Sequence, residues 1–112
     1  MPFYDLYGIE AASLEDAKVI LEKLLAFSFE ERDSAYHGGT YYAFGDEAGE
    51  HFMLKENRDP FEDEPAEDSF PNSKLLLYVN ETTRSDELRD ALAKGGDAVM
   101  LLRHEAITVP VY

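Results

Sequence analysis

An α+β fold, a mainly antiparallel sheet of about six strands with two helices on one face, is what this sequence predicts. Three features predict it. An apolar period of three to four residues occurs twice, once towards each end, and period-two segments fill most of the remainder. Turn signals at His37-Gly38-Gly39, Gly45 to Gly49 and Gly95-Gly96 separate the segments at short intervals. The order read from them is β-α-β-β-β-β-α-β, ferredoxin-like or similar, in one domain over residues 1–112.

Phe3 to Ile9 alternates well enough for a strand. Ser13 then stands as a helix N-cap, with Asp16 in the capping-box position and Glu15 in the first turn. Leu14, Ala17, Leu21, Leu24 and Leu25 follow on one stripe, which predicts an amphipathic helix over residues 14–26. Phe27 and Phe29 lead into a polar strand, Glu30 to Tyr36, of the kind that edges a sheet or faces solvent. Thr40 to Phe44 returns after the His37-Gly38-Gly39 turn, and His51 to Lys55 follows the next turn, so the three strands form a meander. On the returning strand Tyr42 and Phe44 are expected to point under the first helix.

Residues 57–73 break every period. Within them, 59–71 hold three of the five prolines and six acids without a base, which denies them sheet or helix geometry and, through self-repulsion, predicts an extended segment: a long acidic loop, or a mobile arm pinned by Phe61 and Phe70. Lys74 to Val79 is apolar enough for a central strand covered on both faces. Ser85 is expected to cap a second helix carrying Leu88, Ala91 and Leu92, stopped by Gly95-Gly96. Ala98 to Ile107 reads as the last strand, and 108–112 as a short extended tail. Strand-helix-strand thus occurs at 3–36 and again at 74–107, which suggests a pseudo-repeat.

The chain of 112 residues carries 24 acidic against 10 basic side chains, a net charge of −14. That balance argues against nucleic acid and against an anionic membrane as partners, since both need clustered Lys and Arg. The absence of cysteine excludes disulfides, thiol catalysis and Cys-based metal sites. With no basic leader and no run of roughly 18 apolar residues, a cytoplasmic location is expected.

Chemical motifs are sparse. His37, His51 and His104 fall in a turn and two strands, without local metal-ligand spacing, although His51 and Glu105 would share a sheet. No Gly-x-Ser-x-Gly elbow or phosphate-binding loop is present. Pro2 would offer a secondary amine as a general base if Met1 were removed, as in tautomerases, but the first arginine is Arg32, among acids. No catalytic group, metal or cofactor is therefore expected.

The charge pattern is the strongest functional signal. Nine of the 24 acids lie at 30–36 and 59–71, with Arg32 as the one base there. Glu30, Glu31, Asp33, Asp59, Glu62, Asp63, Glu64, Glu67 and Asp68 would offer electrostatic complementarity to a basic protein, with Tyr36, Tyr41, Phe61 and Phe70 as anchors.

Two resemblances accompany this reading. The first helix at Leu14 to Leu25, the Gly45–Gly49 hairpin and the strand-helix-Gly-Gly-strand run at 75–102 resemble the vicinal oxygen chelate (glyoxalase-like) superfamily, which implies a small-molecule or metal-binding protein as the alternative function. In size, acidity and acidic loop the chain resembles the immunity proteins of bacterial toxin systems, including contact-dependent inhibition systems. That resemblance implies a non-catalytic inhibitor of a basic toxin such as a nuclease, acting as a monomer or weak homodimer. A dimeric structural protein, paired through the polar edge strand, is a third expectation, opposed by like-charge repulsion.

Overall fold

The computed structural model describes residues 2–34, 39–46, 48–58 and 64–106. Its elements run β1 (Phe3–Ile9), α1 (Leu14–Leu25), β2 (Glu30–Ser34), β3 (Gly39–Gly45), β4 (His51–Glu56), β5 (Leu75–Thr82), α2 (Ser85–Ala93) and β6 (Val99–Ala106), with a 3₁₀ turn at Gly96–Ala98 before the last strand. The strands form one antiparallel sheet in the order β2-β3-β4-β5-β1-β6. Both the α+β class and the order of elements agree with the sequence reading, as do the β2-β3-β4 meander and the edge position of β2.

Helix α1 forms where its caps and stripe put it. Ser13 Oγ accepts a hydrogen bond from the Asp16 amide at 3.1 Å, and Ala17 and Leu21 are buried. The helix ends at Ala26: its N–H makes the last i→i−4 bond, to the Glu22 carbonyl, and its left-handed φ of 59° then turns the chain out of the helix. Helix α2 departs from expectation. Ser85 is not its N-cap but its first helical residue, and the position before it, Arg84, makes no side-chain cap. The Ser85 hydroxyl turns into the protein and donates to Asp5 instead.

Both helices pack on one face of the sheet. Ala17 and Leu21 of α1 and Leu88 and Leu92 of α2 join Tyr7, Ile9, Tyr42, Phe52, Leu54, Leu77 and Val79 in a single core. Tyr42 is buried there as expected, whereas Phe44, on the same face, remains 39% exposed at the rim and stacks on Phe27 with ring centroids 3.9 Å apart. Central strand β5 is buried on both faces, with Leu76 and Leu77 both at 0% exposure.

Strand pairing explains why the two strand-helix-strand stretches are not equivalent copies. Because β5 and β6 are each antiparallel to β1, they run parallel to each other around one intervening strand, a split β-α-β. β1 and β2 are also parallel, but β5, β4 and β3 lie between them. A bulge in β6 adds a second irregularity: Tyr7 pairs with Leu101 while Leu6 pairs with Arg103, leaving Leu102 as the extra residue. Strict alternation would put Leu101 and Arg103 on one face; the bulge sends Arg103 to the face opposite the helices and turns His104 to the helix face, beside Asp5.

Candidate functional site

The sequence-predicted residues fall at two places. On β2 the register sets Glu30 opposite Ala43, Glu31 opposite Tyr42, Arg32 opposite Tyr41 and Asp33 opposite Thr40. Alternation along the strand therefore puts Glu31 and Asp33 on the helix side, and Glu30, Arg32 and Tyr41 on the other. Glu30, Glu31 and Asp33 are exposed, and Glu30 holds Arg32 at 3.3 Å. On the helix side a groove of about 440 Å³ opens beside this edge, lined by Ser13, Glu15, Glu31, Thr40, Tyr42 and Glu56. Three carboxylates from α1, β2 and β4 thus converge around one tyrosine. Burial, and then the charges of Glu31 and Glu15, push the Tyr42 hydroxyl above its ordinary pKa. Lys18 lies over the Tyr42 ring at 5.4 Å.

The described part of the acidic loop, residues 64–73, lies on the other face of the sheet and is clamped rather than extended. Asn57 at the end of β4 does most of the clamping: its Nδ2 donates to the Phe70 and Ser73 carbonyls at 2.9 and 2.8 Å, and its Oδ1 accepts from the Glu67 amide at 2.8 Å. Glu67 points inward. Its carboxylate accepts from the Tyr78 hydroxyl at 2.7 Å and from Arg103 Nη1 at 3.1 Å. Burial raises the Glu67 pKa, but the Arg103 and Tyr78 hydrogen bonds outweigh it and hold the carboxyl below its usual range. Burial and the Glu67 carboxylate push the Tyr78 hydroxyl strongly up. Gly8 allows the close approach, since a Cβ there would sit 2.8 Å from Ser73 Oγ.

Glu64 and Asp68 on this loop are exposed and Phe70 is half-buried, its carbonyl held by Asn57. Tyr36, Asp59, Phe61, Glu62 and Asp63 lie outside the described residues. Among the described residues, those of the loop (64–73) and those of β2 do not form one surface. Glu67 sits over β5 and β6, three to five strands from β2, or about 14 to 24 Å at ordinary strand spacing. His51 and Glu105 do not meet either, because β5 and β1 separate their strands. His51 is instead satisfied locally, donating from Nδ1 to the Gly49 carbonyl at 2.8 Å and accepting from Asn80 at 3.2 Å.

Sequence reasoning missed a polar cluster beneath α2. Asp5 is 2% exposed, accepts from Ser85 Oγ at 2.7 Å, and is directly bonded to His104 Nδ1. The Tyr7 hydroxyl is buried on the same face; burial and the Asp5 charge raise its pKa, and the nearby Arg89 guanidinium opposes them. A charged residue in the middle of the apolar run Phe3 to Ile9 was the available signal. Alongside lies an ion pair: Arg84 Nη2 meets the half-buried Glu50 at 2.6 Å, and Glu50 also accepts from Thr82 Oγ1 at 2.7 Å. The Arg84 hydrogen bonds hold Glu50 below the usual carboxylate range against the opposing effect of burial.

No family model, curated protein or solved structure matches this chain. Among the described residues no group of three or more His, Asp or Glu side chains could hold a metal ion, and no helix is long and apolar enough to cross a membrane.

Proposed function

We propose that this protein is a non-catalytic binding and inhibitory module for a basic protein, in the manner of an immunity protein that neutralises a toxin such as a nuclease. The observation that carries the reading is the groove beside β2, where Glu15, Glu31 and Glu56 line one concavity without a basic side chain among them. A Lys or Arg side chain entering it would meet carboxylates from three elements beside Tyr42, whose ring already carries Lys18 of this chain at 5.4 Å. Glu30 and Asp33 on the same exposed edge would extend the field. The carboxylates would stand in for substrate phosphates, so the partner's cationic active site would be filled by protein.

Within this reading the acids have different tasks. Glu67 holds the loop to the sheet, while exposed Glu64 and Asp68 act through long-range attraction. The net charge of −14 favours fast encounter with a cationic partner and keeps copies of the chain apart. Under this reading the chain acts in a bacterial cytoplasm, where the toxin would otherwise strike.

Capture from the source cytoplasm at low salt, followed by an activity assay of the captured protein, is the test. A basic partner inhibited at stoichiometric amounts is expected. The triple variant Glu15→Gln, Glu31→Gln, Glu56→Gln should slow association by about tenfold or more and flatten its salt dependence. A captured partner that keeps its activity, or an association rate indifferent to the triple variant, would overturn the reading.

A further inference from the structure

Lys18 already stands where a partner's cation would meet Tyr42. Its Nζ lies over the Tyr42 ring, 5.4 Å from the centroid, and 3.8 Å from Glu22 Oε1 one turn further along α1. Glu22 is itself fixed, because its Oε2 accepts the Phe29 amide at 2.7 Å. A charge-assisted hydrogen bond would measure about 2.8 Å, so Lys18 is fully committed neither to this carboxylate nor to the ring. A movement of about 1 Å towards Glu22 would close that ion pair and begin to uncover the ring.

The surroundings favour such a movement when a second cation arrives. Glu15, one turn before Lys18, lines the groove with Glu31 and Glu56, whereas Glu22, one turn after it, lies outside that lining. A cation drawn to the groove carboxylates would repel the Lys18 ammonium, and Glu22 is the carboxylate held ready on the side away from the groove. Tyr42 is 4% exposed with Lys18 in place, so displacement would open a ring face at the edge of the groove. An ammonium from the partner would only repeat what Lys18 provides. A guanidinium provides more: its plane stacks on an aromatic ring, and its five N–H groups form a fork that reaches carboxylates on several elements.

We propose that Lys18 is an internal stand-in for the partner's cation, displaced from the Tyr42 ring onto Glu22 when an arginine side chain enters the groove. Lys18 then sets the selectivity of that groove, provided the groove is the docking site of a basic partner as proposed above. Every incoming cation has to displace one existing contact, and only a guanidinium regains more than it removes.

Nuclear magnetic resonance of the full chain at low salt, titrated with acetyl-Gly-Arg-Gly-amide or acetyl-Gly-Lys-Gly-amide, tests this. In the free protein the ε-methylene protons of Lys18 should resonate upfield of ordinary lysine values, because the Tyr42 ring current reaches them. The arginine peptide should shift the carboxyl signals of Glu15, Glu31 and Glu56 and, with the same midpoint, return the Lys18 protons downfield. It should bind at least about twofold more tightly than the lysine peptide. Lys18→Gln should bind the arginine peptide about threefold more tightly than the unsubstituted chain. Lys23→Gln, which removes an equal charge about 7.5 Å further along α1, should gain less. Three results would overturn the displacement while leaving the docking site standing. They are Lys18 protons that stay upfield as the groove carboxyls shift, equal affinities for the two peptides, or equal gains from Lys18→Gln and Lys23→Gln. Groove carboxyls that respond to neither peptide would overturn the docking site itself, and the displacement with it.

Discussion

Asn57 shows how much one side chain can decide. Its amide meets three backbone groups of the acidic loop, giving hydrogens to two carbonyls and taking one from the Glu67 amide. Those contacts set Glu67 over Tyr78 and Arg103, and so determine which of the described loop carboxylates is internal. Asn57→Asp keeps the shape but replaces the donor by an oxygen facing the Phe70 and Ser73 carbonyls. Two lost hydrogen bonds and the new repulsion should destabilise the loop by about 2–3 kcal/mol. Because the loop can open locally, hydrogen exchange is the proper measurement. The amides of residues 64–73 should lose protection while those of β5 keep theirs. Unchanged protection in the loop would mean that Glu67–Arg103, not Asn57, holds it down.

The ends of α1 offer a matched pair of tests for whole elements. Ser13→Ala removes the acceptor for the Asp16 amide and should lower stability by about 1 kcal/mol. Ala26→Gly relieves a left-handed alanine at the other end and should raise stability by about 0.5 kcal/mol, the gain reduced by the extra freedom of glycine when unfolded. Chemical denaturation at neutral pH would measure both, and a stabilising Ser13→Ala or a destabilising Ala26→Gly would contradict the cap assignments. These elements were legible because their signals are local: α1 shows in its stripe and cap, β5 in its continuous apolar run, β2 in its polarity. The placing of β1 between β5 and β6 is a pairing of distant strands, and no local period encodes it. The β6 bulge is equally silent, yet it alone aims Arg103 at Glu67 and His104 at Asp5. Ser85 looked like a cap because a hydroxyl before a helix usually is one; a buried carboxylate competes for it here. Glu67 was indistinguishable from its acidic neighbours until the loop had folded onto a face that carries an arginine.

At the scale of the molecule, two electrostatic effects of opposite sign act on stability. The net charge of −14 means that the folded chain repels itself at neutral pH, and lowering the pH towards its isoelectric point of about 4.4 relieves that strain. Glu50 and Glu67 work the other way. Each has its folded pKa held below the ordinary value of 4.5, Glu50 by Arg84 and Glu67 by Arg103 and Tyr78 in spite of burial. For a carboxylate lowered in the folded state, the stabilisation is fully present above the unfolded pKa and disappears as pH falls through the folded one. Melting temperature should therefore rise as pH is lowered from about 7.5 to about 5, then fall below about 4.5 as the two glutamates take up protons. Salt separates the two limbs. Adding about 0.5 M sodium chloride screens the distributed repulsion and should flatten the neutral limb, while the acid limb, set by short hydrogen-bonded pairs, should persist. Calorimetry across this pH range at low and high salt reads both. A melting temperature that falls steadily from pH 7.5 downwards at low salt would mean that the bulk charge leaves the folded state unstrained, and a rising neutral limb that ignores salt would place its origin in particular contacts.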